Sequence, residues 1–95
     1  MSPEEQVDRG QRAQRLIDDD LLQESLKAIE TEVVRQWENC PARDNDGKEA
    51  LWQLMKTSKK FRGLLLGYVS TGRLAADNMK RHEEESRLKR LLHRR

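Results

Sequence analysis

The sequence predicts an all-α fold, an antiparallel helical hairpin with helical N- and C-terminal extensions that self-associates. Apolar residues recur at helical spacing in two long stretches, and no segment alternates with the two-residue period of a strand. Pro41 sits in a cluster of turn residues between the two stretches, where it separates them. Composition limits what such a chain can bury. Leu, Ile, Val and Phe make up 20 of its 95 residues and 38% are charged, just above the range in which chains stay disordered for want of burial. The length suits one small domain, residues 1–95, with no room for a large enzyme fold around a deep pocket. A core this thin calls for help from a second copy or a partner.

The first element opens at Ser2-Pro3-Glu4-Glu5. Ser2 can cap, Pro3 suits the first helical position, and Glu5 can close a capping box. Helix A is predicted over residues 3–38, with a candidate break near 18–20, where Asp18-Asp19-Asp20 either caps a new helix or lies on the solvent face of a continuous one. Its first part is polar, and Gly10 weakens it by about 1 kcal/mol relative to Ala. Its second part carries Leu22, Leu26, Ile29, Val33 and Trp37 at helical steps, with Leu21 and Val34 widening the stripe. A turn follows over 39–47: Pro41 disfavours helix at Cys40, and Asp44 or Asp46 caps the next element, Asp46 with Glu49 in the capping-box position. Helix B is predicted over 48–71, with Leu51, Leu54, Met55, Phe61, Leu65, Tyr68 and Val69 on one broad face. Gly72 reads as its C-terminal stop in a left-handed conformation. A basic C-terminal helix then runs over 74–95, a stretch without Pro or Gly.

Two long helices joined by a short turn should fold back on each other. Counting outward from the turn sets Trp37 against Trp52 or Leu51, Val33 against Met55, Leu26 against Phe61 or Arg62, and Leu22 against Leu65. Charge agrees with that pairing: residues 18–38 hold seven acids and two bases, residues 48–73 six bases and one acid. Exposed pairs of this kind select a partner more than they stabilise it, at about 0–1 kcal/mol each. Leu64, Leu66, Tyr68 and Val34 cannot all face one partner helix, which is the ground for expecting a homo-oligomer or a wrapping terminal segment. Gly63 and Gly67, four apart, would admit another backbone at close range.

Chemistry-bearing residues are sparse. His82 and His93 lie in the charged tail without the second histidine of a zinc-binding HExxH, and both read as solvated side chains. Asp44-Asn45-Asp46-Gly47 begins like a calcium loop, but Met55 stands where the twelfth-position Glu would be. No phosphate-cradling glycine motif occurs. The expectation is no catalytic residue, no metal site, no cofactor and no enzyme activity. Cys40, the single cysteine, excludes an internal disulfide and fits a reducing compartment or a particle assembled inside a cell. Met1 to Glu5 is too polar for a signal peptide and Leu64-Leu65-Leu66 is far too short for a membrane span, so a soluble protein with no membrane partner is expected.

Two features suggest partners. Trp37 and Trp52 flank the turn, where they either staple it by burial or form an aromatic hot spot for another protein. The end of the chain, from Ser86 to Arg95, is a basic amphipathic helix with Leu88, Leu91 and Leu92 at helical spacing. It can dock its leucines on its own hairpin, insert into a partner's groove, or contact nucleic-acid phosphates. The contact residues expected for a partner or nucleic acid are Lys80, Arg81, Arg87, Lys89, Arg90, Arg94 and Arg95. Those expected for a hydrophobic interface are Trp37, Trp52, Leu64, Tyr68, Leu88, Leu91 and Leu92. Net charge is −6 over residues 1–55 and +8 over 56–95, a split that can serve either internal attraction or two different partners.

Arg12-Ala13-Gln14-Arg15-Leu16-Ile17, Leu21-Leu22-Gln23-Glu24 and the Trp37 region, with Pro41-Ala42-Arg43-Asp44, Glu49-Ala50-Leu51-Trp52 and Thr71-Gly72-Arg73-Leu74-Ala75, together form a pattern over residues 10–76. This pattern resembles small helical proteins of tailed bacteriophages, commonly encoded among virion-structure and DNA-packaging genes and mostly without an assigned function. The resemblance implies a place in the host cytoplasm or the phage particle and transfers no functional residue. The expected function is a non-enzymatic assembly protein that binds itself and a phage structural or packaging component. The alternatives are a DNA-binding packaging or regulatory factor, like a small terminase subunit, and an inhibitor that masks a host protein.

Overall fold

The computed structural model describes residues 1–93 and is all-helical there, with three helices and no strand: α1 Pro3–Ile17, α2 Asp20–Asn39 and α3 Asn45–Leu92. Arg94 and Arg95, grouped above with the basic contact residues, lie outside the described residues.

Each helix begins where a side chain satisfies its first free N–H groups. Ser2 is extended and its Oγ accepts from the Glu5 N–H at 3.2 Å, while Pro3 occupies the first turn, where no N–H is needed. At the aspartate run the chain does break. The Asp18 N–H still donates to the Gln14 carbonyl at 2.9 Å, but Asp19 turns extended and its carboxylate accepts from Leu21 N–H at 2.9 Å and Leu22 N–H at 3.1 Å. Gln23 Nε2 donates back across the break to the Ile17 carbonyl at 2.6 Å, which ties the two helices together. At the second junction Cys40 is extended, as a residue before proline must be, and Asp44 caps α3 by accepting from Gly47 N–H at 2.9 Å. Of the two candidate caps, Asp44 takes that role.

Gly72 does not end a helix. The expected stop at 71 and separate helix from 74 are replaced by one continuous α3 of 48 residues, and Gly72 is buried in its interior with an ordinary helical φ. At 1.5 Å per residue such a helix is roughly 72 Å long, which accounts for most of the 81 Å long axis of a molecule only 25 × 17 Å across.

The glycine finds its use in packing. A Cβ on Gly72 would stand 2.9 Å from the Gln6 carbonyl oxygen and from the Gly10 Cα, and one on Gly10 would stand 2.9 Å from the Gly72 Cα and the Tyr68 carbonyl oxygen. The two glycines therefore let the α1 and α3 backbones touch. At Gly63 and Gly67, expected to serve a close crossing, a Cβ would meet nothing within 4 Å, and neither makes a crossing among the described residues. Beside the crossing, Ala13, Leu65 and Val69 form the buried cluster, with Ile17, Leu22 and Tyr68 packed on it. Farther along, Leu26 and Val33 of α2 are buried, as is Ser58 of α3.

The opposed charges of α2 and α3 are not joined. The ion pairs among the described residues, Asp8–Arg12, Glu32–Arg35 and Glu83–Arg87, all lie within single helices. The side chains of both helices reach outward, and at the surface solvent screening leaves little to gain from bridging them.

Candidate interaction surfaces

Three surfaces stand out, and the aromatic one lies at the turn. Val33, Val34 and Trp37 of α2 share an apolar cleft of about 250 Å³ with Leu51, Trp52 and Met55 of α3. The helical step puts these residues on facing sides of their helices, and the Cys40–Asp44 turn keeps the two ends together. The indoles are not sealed: Trp37 is 45% and Trp52 48% exposed. Lysines stand over both rings, Lys56 Nζ at 4.2 Å from the Trp52 centroid and Lys48 Nζ at 5.8 Å from that of Trp37. Both tryptophans thus contribute to the junction and still offer half their area to something else.

Close by, the Cys40 thiol lies 3.8 Å from Asp44 Oδ2. Partial burial, followed by the Asp44 carboxylate's charge and hydrogen bond, pushes the thiol above its ordinary pKa, which makes it a poor nucleophile. On the outer face of α2 the Glu32 carboxylate accepts from Arg35 Nε at 3.0 Å and from Gln36 Nε2 at 2.9 Å. Those hydrogen bonds, Arg35 first, hold its pKa down to about 2. No group of three or more His, Cys, Asp or Glu side chains able to hold a metal ion occurs among the described residues.

The second surface is the open groove, about 830 Å³, between the start of α1 and the second half of α3, lined by Pro3, Val7, Ala75, Met79, His82 and Glu83 among others. His82 is therefore a rim residue of an open groove. Tyr68, expected at an intermolecular interface, is instead occupied within the chain: it packs on the central cluster and the Arg9 guanidinium stacks 4.2 Å from its ring centroid. Stacking holds a cation over a ring that would otherwise face water. Arg73 reaches Gln14 Oε1 at 3.3 Å on the other flank of the crossing. Sequence reasoning missed this junction, although a signal was present: Gly10 with Ala13, and Gly72 with Ala75, set small residues on one face of each helix.

The third surface is the end of α3. Residues 76–93 are exposed throughout, and beyond Glu83 the helix runs roughly 13 Å past the last residues that face α1. Leu88, Leu91 and Leu92 are each more than half exposed, so these leucines do not dock on the described residues of their own chain. Lys80, Arg81, Arg87, Lys89 and Arg90 are exposed with them, and Leu64 is exposed farther back on the same helix. The structure thus brings Trp37 and Trp52 together and leaves the C-terminal leucines and bases at the opposite end of the rod. No helix among the described residues is long and apolar enough to cross a membrane. The chain matches no protein-family model, no curated protein and no solved structure.

Proposed function

We propose that the protein is a non-enzymatic assembly protein, in which α2 and α3 act as an antiparallel hairpin that self-associates and seats on another protein. One observation carries this reading. A compact monomer of 11.2 kDa exposes about 5,700 Å² and has a radius of gyration near 12 Å, whereas this chain exposes 7988 Å² with a radius of 21.8 Å. The surplus of roughly 2,300 Å² exceeds the ~800 Å² that each partner contributes to a standard interface. Much of it is apolar, with Leu21, Val34, Trp37, Trp52, Leu54, Phe61 and Leu64 among the exposed side chains. Hydrophobic area left in water at this scale favours association.

The hairpin reading is supported by the shared Trp37–Trp52 cleft and by the packing of Leu22 on the cluster that contains Leu65. The resemblance over residues 10–76 makes a virion or packaging component the proposed partner, held in the turn-end cleft or along the C-terminal leucines. Sedimentation at tens of micromolar tests the first part, with a mass above that of the monomer expected. Presence at fixed stoichiometry in particles or their precursors tests the second, and absence from both rejects it.

A DNA-binding role is the second reading, because Arg87, Lys89 and Arg90 are all exposed along the end of α3. The arm is a weak phosphate binder on its face: Glu83, Glu84 and Glu85 sit among its bases. Binding to duplex DNA that falls steeply with salt and disappears when residues 86–95 are deleted would favour this reading. No binding at low salt would reject it.

A further inference from the structure

We infer that two copies pair antiparallel along the outer face of α3, with their midpoint beside Ser70; this rests on the self-association proposed above and specifies its face and register. At about 100° per residue, Trp52, Lys56, Gly63, Gly67, Ser70, Leu74, Glu85, Leu88 and Leu92 fall within an arc of about 60° on one helix. All of them are exposed, and the arc lies roughly opposite the side that Ser58, Leu65, Val69 and Gly72 bury. This face has a hole and a knob. Gly63 and Gly67 leave open space above the backbone, while Leu74, two turns on, is 62% exposed.

An antiparallel partner whose residue numbers add to about 141 at each level places Leu74 of one copy over Gly67 of the other, twice by symmetry. The same register puts Leu88 and Leu92 of each arm beside the partner's Trp52. Their leucines, exposed among the described residues, thereby meet the half-open indole at the other end of the rod. Charge follows the same register. Lys56 and Lys59 come beside the partner's Glu85 and Glu84, and no ion pair among the described residues engages any of the four. One like-charge approach opposes it: Arg81, which lies within the same arc, comes beside the partner's Lys60, just outside it. A parallel pair on the same face would instead set Glu85 against its own copy and Leu74 against Leu74. Because the contact is isologous it closes as a dimer and leaves no open end for a filament.

Cysteine cross-linking of the full chain tests this in a Cys40→Ser background. Ser70→Cys is expected to form a covalent dimer with itself, and chains carrying Lys56→Cys and Glu85→Cys are expected to cross-link only when mixed. Self-linkage of Lys56→Cys would overturn the antiparallel register. Absence of the Ser70→Cys dimer in a chain that sediments as an oligomer would overturn the inference while leaving self-association intact, whereas a monomer at tens of micromolar removes both. Leu74→Asp, on the face away from the core, should weaken dimerisation tenfold or more with helical content unchanged. Unaltered dimerisation in that variant would place the interface elsewhere.

Discussion

Replacing four glycines of this chain by alanine, one at a time, should split them by sign. In a helix interior alanine is worth about 1 kcal/mol over glycine, partly because it restrains the unfolded chain. Gly63 and Gly67 receive that gain unopposed, since a Cβ at either meets nothing within 4 Å. At Gly10 and Gly72 the new Cβ would lie 2.9 Å from backbone atoms of the facing helix, which cannot rotate away as a side chain could. The helices must separate, and overpacking of this kind typically costs about 1–3 kcal/mol. Propensity cancels in the comparison of Gly72→Ala with Gly67→Ala, so the difference, about 1–3 kcal/mol, isolates the crossing. For a chain of this size 1 kcal/mol moves the melting temperature by about 4–8 °C. Thermal and urea melts followed by far-UV circular dichroism, under conditions where the chain is monomeric, are therefore sensitive enough. Gly63→Ala and Gly67→Ala should raise the midpoint, and Gly10→Ala and Gly72→Ala should leave the stability unchanged or lower it by up to about 2 kcal/mol. An α1 levered off α3 should also melt, because an isolated helix of its length is marginal in water. Equal stabilisation by all four substitutions would refute the backbone contact.

Three further outcomes follow from single side chains. Ser58 is 8% exposed and its Oγ has no hydrogen-bond partner among the described residues, so Ser58→Ala should stabilise the chain by about 1 kcal/mol in urea melts, and a loss of similar size would reveal a partner for the hydroxyl. The Glu32 pKa, lowered from 4.5 to about 2 by Arg35 and Gln36, gives stability that is present above the unfolded value and lost as pH falls toward 2; an NMR titration of the carboxyl should show that low midpoint, and Arg35→Ala should return it toward 4.5. Cys40 should react with iodoacetamide more slowly than a free thiol at neutral pH, and Asp44→Asn, which keeps a capping side chain while removing the charge, should speed it up.

What was legible in the sequence was local. Ser2, Asp19 and Asp44 announce helix starts because a short side-chain acceptor near a run of free N–H groups is a contact between near neighbours. The Leu22-to-Trp37 stripe shows for the same reason, since one helix turn brings its members together. The crossing of α1 and α3 joins residues about 60 positions apart, and a glycine carries no side chain to mark where it points. Gly72 consequently read as a helix end, although its φ stays helical and its small size is spent on approach to Gly10. The charges misled in a different way. An acidic α2 beside a basic α3 predicts attraction in bulk, but ion pairs need specific reach, and those formed were between neighbours on one helix.

The continuity of α3 through Gly72 matters for more than its length. A glycine in mid-helix weakens the helix there, and here that weakness is offset where α1 lies across it and excludes water from the glycine backbone. Had α3 ended at 71 as its sequence suggested, the direction of Leu88 and Leu92 would be set by a flexible link and bear no fixed relation to Trp52. With the helix unbroken, residues 36 to 40 apart keep one angular frame, and an outward face of scattered leucines, lysines and glutamates acquires a register. The α1 crossing is thus a requirement for the outer face as well as part of the core. Gly10→Ala, which pushes α1 off while leaving Gly72 in α3, should therefore weaken dimerisation in proportion to the α1 it releases, although Gly10 lies outside the proposed interface. Sedimentation of Gly10→Ala beside Leu74→Asp checks this: full-strength dimerisation in a chain whose α1 has melted would show that α3 holds its line unaided.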